Sequence, residues 1–209
     1  MSLLPIFLRL DRRRCLVVGA GAVALGKIES LQSAGGDVIV VAPDALPAIR
    51  DLAQQTSLSW RQRAFQPADL DNVFLVIAAT NSPHVNHAVY QEALQRNIPC
   101  NAVDDPPNCD FYFGSVISRD SLQIAISTAG ESPAFAQQLK REIDTQLPQD
   151  LGPWLAELGS LRREVLAALP SGEGRNHLLQ SLAQRSVCGL AECPARRLAQ
   201  QHIQSEKIV

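Results

Sequence analysis

The sequence has no large excess of charge of either sign, no long apolar run and no ordered cysteine pattern. Each absence removes a class of function. Its 209 residues carry 19 Lys plus Arg against 21 Asp plus Glu, a formal charge of −2. That balance offers no electrostatic footprint for nucleic acid or an anionic membrane surface. No stretch approaches the roughly 20 apolar residues that a membrane-spanning helix needs. Residues 1–10 include an apolar stretch, but no basic segment precedes it and no small-residue cleavage site follows, so a cytoplasmic location is expected. The five cysteines lie at 15, 100, 109, 188 and 193. Neither a disulfide framework nor a Cys-x-x-Cys zinc pair appears, so all five are expected to be reduced thiols without a catalytic task. Cys15 and Cys100 lie in apolar, strand-like runs and read as core. His84, His87, His177 and His202 form no ligand pattern, and no metal site is expected. Internal repeats and low-complexity tracts are absent as well.

What is present is an ordinary globular composition, 46% hydrophobic and 19% charged. The length suits one large domain, or a core domain with a helical appendage. Its most informative stretch is Cys15-Leu16-Val17-Val18-Gly19-Ala20-Gly21-Ala22-Val23-Ala24, an apolar run that breaks into Gly-x-Gly-x-x-Ala and opens a helical pattern. Gly19 permits the tight turn after the strand, and Gly21 lets the backbone approach a pyrophosphate. Ala24 lets helix and strand pack closely, and the free N–H groups of the helix start face the phosphates. The pattern predicts a Rossmann-type dinucleotide-binding unit.

The remaining chain extends this α/β alternation. Residues 1–13 read as a lead-in whose Leu3, Leu4, Ile6, Phe7 and Leu8 are apolar enough to pack on the sheet. Strands are expected at Arg14–Val18, Val38–Val41, Leu58–Arg61, Val73–Ala79 and Pro99–Val103, with helices at Val23–Ala34, Leu46–Gln55 and Pro83–Arg96. The alternation stops after Val103. Short strands follow at Phe111–Phe113, Ser115–Ser118 and Leu122–Ser127. A helix starts at Ser132-Pro133 and runs to about Leu147. Beyond Pro148 and Pro153 the pattern is helical, over Leu155–Ala168, Asn176–Arg185 and Pro194–Gln204, with 171–174 as a linker. The expected organisation is a Rossmann-type domain over 1–113, a small α+β segment over 114–147 and a helical domain over 148–209.

Several strand ends carry polar residues on one rim: Asp44 just after Pro43 stops the second strand, Thr80 and Asn81, Asp104 and Asp105. Ligands bind at that edge of open α/β sheets. Asp44 either reaches a cofactor ribose or caps the helix beginning near Leu46. No arginine follows the second strand immediately, so nothing marks a 2′-phosphate pocket, and NAD is favoured over NADP. Asp104 reads either as a general base or as a turn-former ahead of Pro106-Pro107. The pairs Lys140-Arg141, Arg162-Arg163 and Arg196-Arg197 are either solvated helix faces or contacts for a polycarboxylate ligand.

Four motifs in this order carry a resemblance: Gly19–Lys27, Ala78–Asn81, Cys100–Asp104 and Ser127–Pro133. Together they resemble precorrin-2 dehydrogenases, the N-terminal module of siroheme synthase, across essentially the whole chain. The methyltransferase module usual in siroheme synthase is not seen, which resembles the stand-alone form. The resemblance implies NAD-dependent oxidation of precorrin-2 to sirohydrochlorin. In bifunctional members it also implies insertion of ferrous iron, as substrate, into that tetrapyrrole. It implies cofactor contacts at Gly19, Gly21, Ala22, Val23, Pro43, Asp44, Thr80 and Asn81, and a catalytic carboxylate at Asp104. It further implies substrate contacts at Asn101, Ser127, Thr128 and Gly130, and a homodimer formed through the 114–147 segment. Thr128 matches a position that is a phosphorylated serine in some members. Two departures are Gly26, where an arginine is usual, and Ala129, where a glycine is common. A non-catalytic NAD-sensing module remains the competing possibility.

Overall fold

Strands whose residues are apolar in unbroken succession must be covered on both faces, and the first half of the chain meets that demand. A computed structural model describes residues 3–55, 57–183 and 194–206. Within it the chain divides into two units, one ending at Phe113 and the other beginning at Gly114.

The first unit is a five-stranded, wholly parallel sheet in the order β3-β2-β1-β4-β5. Its strands are β1 (Arg14–Val18), β2 (Asp37–Val41), β3 (Ser59–Arg61), β4 (Leu75–Ala78) and β5 (Cys100–Ala102). Three helices connect them: α1 (Ala22–Ser33), α2 (Pro47–Gln54) and α3 (Pro83–Gln95). Alternate strand residues serve opposite cores. Cys15, Val17, Val38 and Val40 pack with Ala24, Ile28 and Leu31 of α1 and Ile49 of α2. Leu16, Val18, Ile39 and Val76 pack with Val89 and Ala93 of α3. This three-layer arrangement is the Rossmann-type fold that the alternation predicts.

Because those helices already cover both faces, the lead-in has no face to occupy. Leu4, Ile6, Phe7 and Leu8 are exposed, Leu4 by 84%, and only Leu10 is buried, which corrects the expected packing of this segment. Phe111–Phe113 is not a strand either. The Asn101 amide donates to the Phe111 carbonyl at 2.7 Å and the Tyr112 hydroxyl donates to the Pro106 carbonyl at 3.2 Å, which holds the segment as a loop.

The second unit opens with an antiparallel hairpin of β6 (Ser115–Arg119) and β7 (Leu122–Ile126), turned at Asp120 with φ of 48°. Helix α4 (Pro133–Gln146) starts with the Ser132 hydroxyl accepting the Phe135 N–H at 3.2 Å and Pro133 in its first turn. Arg119 ties the hairpin to α4 through Asp144 at 2.8 Å. Helices α5 (Leu151–Ala168), α6 (Glu173–Ala183) and α7 (Pro194–Glu206) enclose Trp154, Leu161, Val165, Leu178, Leu182 and Ala199. Helix α5 begins four residues before the expected Leu155, because Pro153 falls in the first turn, where a missing N–H costs nothing. Similarly, α6 takes up Glu173 and Gly174, so 171–174 is not wholly a linker. The expected end of that helix, at residues 184 and 185, lies outside the described residues.

The turn joining β3 to β4 is held by a buried charge. Asp69, 2% exposed, accepts Arg61 and Arg63 guanidinium groups at 2.6 Å and the Gln66 N–H at 2.9 Å. Burial pushes its carboxyl upward, but the bonds from Arg63, Gln66 and Arg61 outweigh it and hold the group below the usual carboxylate value. Asp69→Ala is expected to cost about 2 kcal/mol at neutral pH, as removal of charge-assisted hydrogen bonds does. A lowered native value means that the contribution is complete above the unfolded value of about 4 and is lost as pH falls from there through the lower native value. Urea unfolding of both proteins at pH 7 and at about pH 2.5 should therefore show the gap between them narrowing at the lower pH.

Candidate functional site

At the centre of the sheet the chain leaves β1 toward α1 on one face and leaves β4 toward α3 on the other. The divergence opens a crevice at the carboxyl ends of these strands, with a volume of about 1000 Å³. Gly19, Gly21, Pro43, Asp44, Thr80 and Asn81 all line it, joined by Phe65, Val85 and Arg50. Ala22 and Val23 form the first turn of α1 and are not part of its wall.

The two glycines answer different demands. Gly19 has φ of 104°, and a Cβ there would lie 2.3 Å from the Ala79 carbonyl oxygen, so the protein itself requires glycine. Gly21 has φ of −86°, open to any residue, and a Cβ on it would meet nothing within 4 Å. Gly21 is the N-cap of α1 and offers no side-chain cap, leaving the N–H groups of the first turn available. Open space in front of unsatisfied donors and a positive helix end fits a dinucleotide pyrophosphate.

The loop after β4 is fixed by a residue that the sequence did not mark. Asn86, 5% exposed in α3, accepts the Thr80 N–H at 3.1 Å and hydroxyl at 2.7 Å, and donates to the Thr80 carbonyl at 3.1 Å. An asparagine inside a helical pattern carries no local signal for such a role.

Asp44 does not cap α2, whose N-cap is Leu46 without a side-chain bond. Its Oδ1 accepts the Ala45 N–H at 2.9 Å and Arg50 Nη2 at 2.5 Å. Arg50 lies on α2, and the first turns of the helix carry it back to the end of β2.

On the same rim, beyond β5, Asp104 is exposed with φ of 60°, a backbone state that Asp tolerates better than most residues. Turn formation is shared by its neighbour. The Asp105 N–H donates to the Ala102 carbonyl at 3.2 Å, and its carboxylate accepts the Asn108 amide at 2.6 Å. The Asp104 carboxylate makes no hydrogen bond or ion pair among the described residues. Lys27 of α1 is drawn to this corner, with its ammonium 3.7 Å from the centre of the Phe113 ring. Burial lowers its pKa, against the opposing charges of Asp104 and Cys109. Asn101 is 7% exposed and its amide is committed to Phe111, so it holds the loop instead of standing on the rim.

Burial acts in the same direction on the three free thiols among the described residues. Burial pushes Cys15 up to about 11 and Cys100 up to about 12, and it also raises Cys109, whose Sγ donates to the Ala102 carbonyl at 3.1 Å. Cys188 and Cys193 lie outside the described residues. His84 lines the cleft, and no three His, Cys, Asp or Glu side chains cluster as a metal site among the described residues.

Ser127, Thr128 and Gly130 belong to the second unit, in the loop before α4. The Ser127 hydroxyl accepts the Ala129 N–H at 3.1 Å and the Thr128 hydroxyl accepts the Ser132 N–H at 3.2 Å. Ala129 has φ of 52°, which explains why a glycine suits this position. Arg162 and Arg163 are exposed on α5, as is Arg141 on α4, while Lys140 is half-buried. The Arg196 side chain lies outside the described residues. No helix among the described residues is long and apolar enough to cross a membrane.

A glycine turn between adjacent parallel strands, a donor-rich helix start and a polar opposite rim define a Rossmann-type dinucleotide-binding domain. The chain belongs to the family described as "Putative NAD(P)-binding", whose model matches residues 6–115. A second model, "Sirohaem biosynthesis protein central", matches residues 119–146. The chain is similar to a siroheme synthase of Sodalis glossinidius, 44% identical over 175 residues, 84% of this chain and 37% of that protein. It is also similar to siroheme synthase 1 of Cronobacter sakazakii, 38% identical over 206 residues, 99% of this chain and 44% of that protein. The chain thus spans less than half the length of these curated relatives. In fold it matches a solved structure titled "SirC, precorrin-2 dehydrogenase", with a TM-score of 0.79, 24% identity, and coverage of 97% of this chain and all of the other.

Gly21→Ala should leave the melting temperature nearly unchanged and weaken dinucleotide binding by about tenfold or more, since the added methyl enters the space a pyrophosphate needs. Gly19→Ala should lower both, because strain and a backbone clash coincide there. Differential scanning calorimetry together with NADH fluorescence titration separates the two effects.

Proposed function

We propose that this chain oxidises precorrin-2 to sirohydrochlorin with NAD as the hydride acceptor. The observation that carries the proposal is the exposed Asp104 carboxylate, on the carboxyl rim of the sheet that holds the glycine turn. It makes no hydrogen bond or ion pair among the described residues, and its charge acts on Lys27. The siroheme synthases among its relatives and the fold of a precorrin-2 dehydrogenase support it.

NAD, when bound, supplies a two-electron acceptor for one C–H bond of the substrate. Gly19, Gly21 and the first turn of α1, with Ala22 and Val23, receive the pyrophosphate. Asp44 and Pro43 take the ribose beside the end of β2, while Thr80 and Asn81, set by Asn86, bound the opposite wall. Asp104 accepts the proton that balances hydride loss, and Lys27 sets a positive charge near that carboxylate. Ser127, Thr128 and Gly130 contact the tetrapyrrole. Insertion of ferrous iron into sirohydrochlorin releases two pyrrole protons, which the same carboxylate takes one at a time and passes to solvent. The chain acts as a cytoplasmic homodimer through the 114–147 segment, whose hairpin strands pair only with each other among the described residues.

Anaerobic incubation with precorrin-2 and NAD should produce the sirohydrochlorin spectrum and stoichiometric NADH. Asp104→Ala should slow turnover by about a hundredfold or more, the usual scale of general-base loss, while leaving NADH binding intact. Absence of turnover in a protein that binds NAD would sink the proposal and favour a sensing module. Adding ferrous ion to sirohydrochlorin, with and without the protein, tests the chelatase step separately.

A further inference from the structure

We propose that Arg50 sets the dinucleotide preference of this chain, by neutralising Asp44 so that a 2′-phosphorylated nicotinamide dinucleotide is admitted alongside the unphosphorylated one. The inference rests on the dinucleotide cleft of the first unit and is independent of the tetrapyrrole chemistry proposed above.

A lone carboxylate at the end of the second strand accepts the ribose hydroxyls and repels a 2′-phosphate. Asp44 is not alone. Its Oδ1 is occupied by the Ala45 N–H at 2.9 Å and by Arg50 Nη2 at 2.5 Å. Arg50 is anchored in turn by its Nε donating to the Ala45 carbonyl at 2.9 Å. Both side chains line the cleft that contains the glycine turn, and Arg50 is the one lysine or arginine among the residues lining it. The pair carries no net charge, so the repulsion that excludes a 2′-phosphate is cancelled at its source. A guanidinium has five N–H donors, and the bonds to Asp44 and Ala45 use two of them. The other three have no partner among the described residues and can serve a phosphate, in the geometry for which arginine is suited. With side chains 47% and 80% exposed, the pair is also weak enough to open for a ligand. Asp44 Oδ2, which has no partner among the described residues, stays available for a ribose hydroxyl when the 2′-phosphate is absent.

The test is direct binding by the full chain, with NADH and NADPH as probes and reduced-nicotinamide fluorescence as the readout. The wild-type protein should bind the two within about tenfold of each other, and a wider preference for NADH would overturn the proposal. Arg50→Ala should shift the NADPH to NADH affinity ratio against NADPH by about tenfold or more, with Arg50→Lys restoring part of it. A smaller shift in that ratio, or equal weakening of both dinucleotides, would also overturn it. Asp44→Asn should weaken NADH and spare NADPH, and thermal melts of each variant show that the fold is retained. Binding of neither dinucleotide by the wild type would remove the cleft as a cofactor site altogether. The expected discrimination without oxidation of precorrin-2 would leave this inference standing and remove only the proposed reaction.

Discussion

The contact on which the first unit depends is the approach of the Gly19 backbone to the Ala79 carbonyl, so close that a single methyl group would sit 2.3 Å from the oxygen. Gly19 is bonded toward β2 through the Val41 carbonyl at 2.9 Å, while the Ala79 N–H donates to Val18 at 2.8 Å. The turn is thus stitched to the strands on both sides of β1. With the backbone pinned there, α1 can start immediately at Ala22 and direct its free N–H groups over the strand ends. The crevice follows from this one approach and from the opposite departures of α1 and α3.

Four aspartates near that sheet show how partners assign a residue's task. Asp69 is buried and saturated by two arginines and a backbone N–H, so its charge holds a turn. Asp44 is exposed, and its ion pair with Arg50 leaves the two side chains without net charge. Asp105 is absorbed by Asn108. Asp104, next to it, makes no hydrogen bond or ion pair among the described residues, and its charge acts on Lys27.

The second unit has its own core and its own conformational economy. The hairpin and α4 are joined by Arg119 and Asp144, and the last three helices share a separate set of buried side chains around Leu161 and Leu182. Its loop before α4 holds Ala129 in a left-handed state beside Gly130, a local cost carried where polar groups of Ser127 and Thr128 shape the chain.

Features that depend on a few consecutive residues were legible in the sequence. These are the glycine turn, the unbroken apolar strands with their register of alternate cores, and the Ser-Pro start of α4. Each follows from local sterics, a capping bond, or the need to cover two faces of a strand. What only the tertiary structure decided are meetings between elements. Arg50 returns to Asp44 because a helix turns back toward its own strand. Asn86 locks Thr80 from within α3, and Lys27 settles over Phe113 near Asp104 from a residue 77 positions earlier in the chain. The apolar lead-in stays exposed because other helices had already taken both faces of the sheet. Periodicity reports which side of an element is apolar. It holds no information on which side chains the strand order will place within a hydrogen bond of one another, such as Asn86 and Thr80.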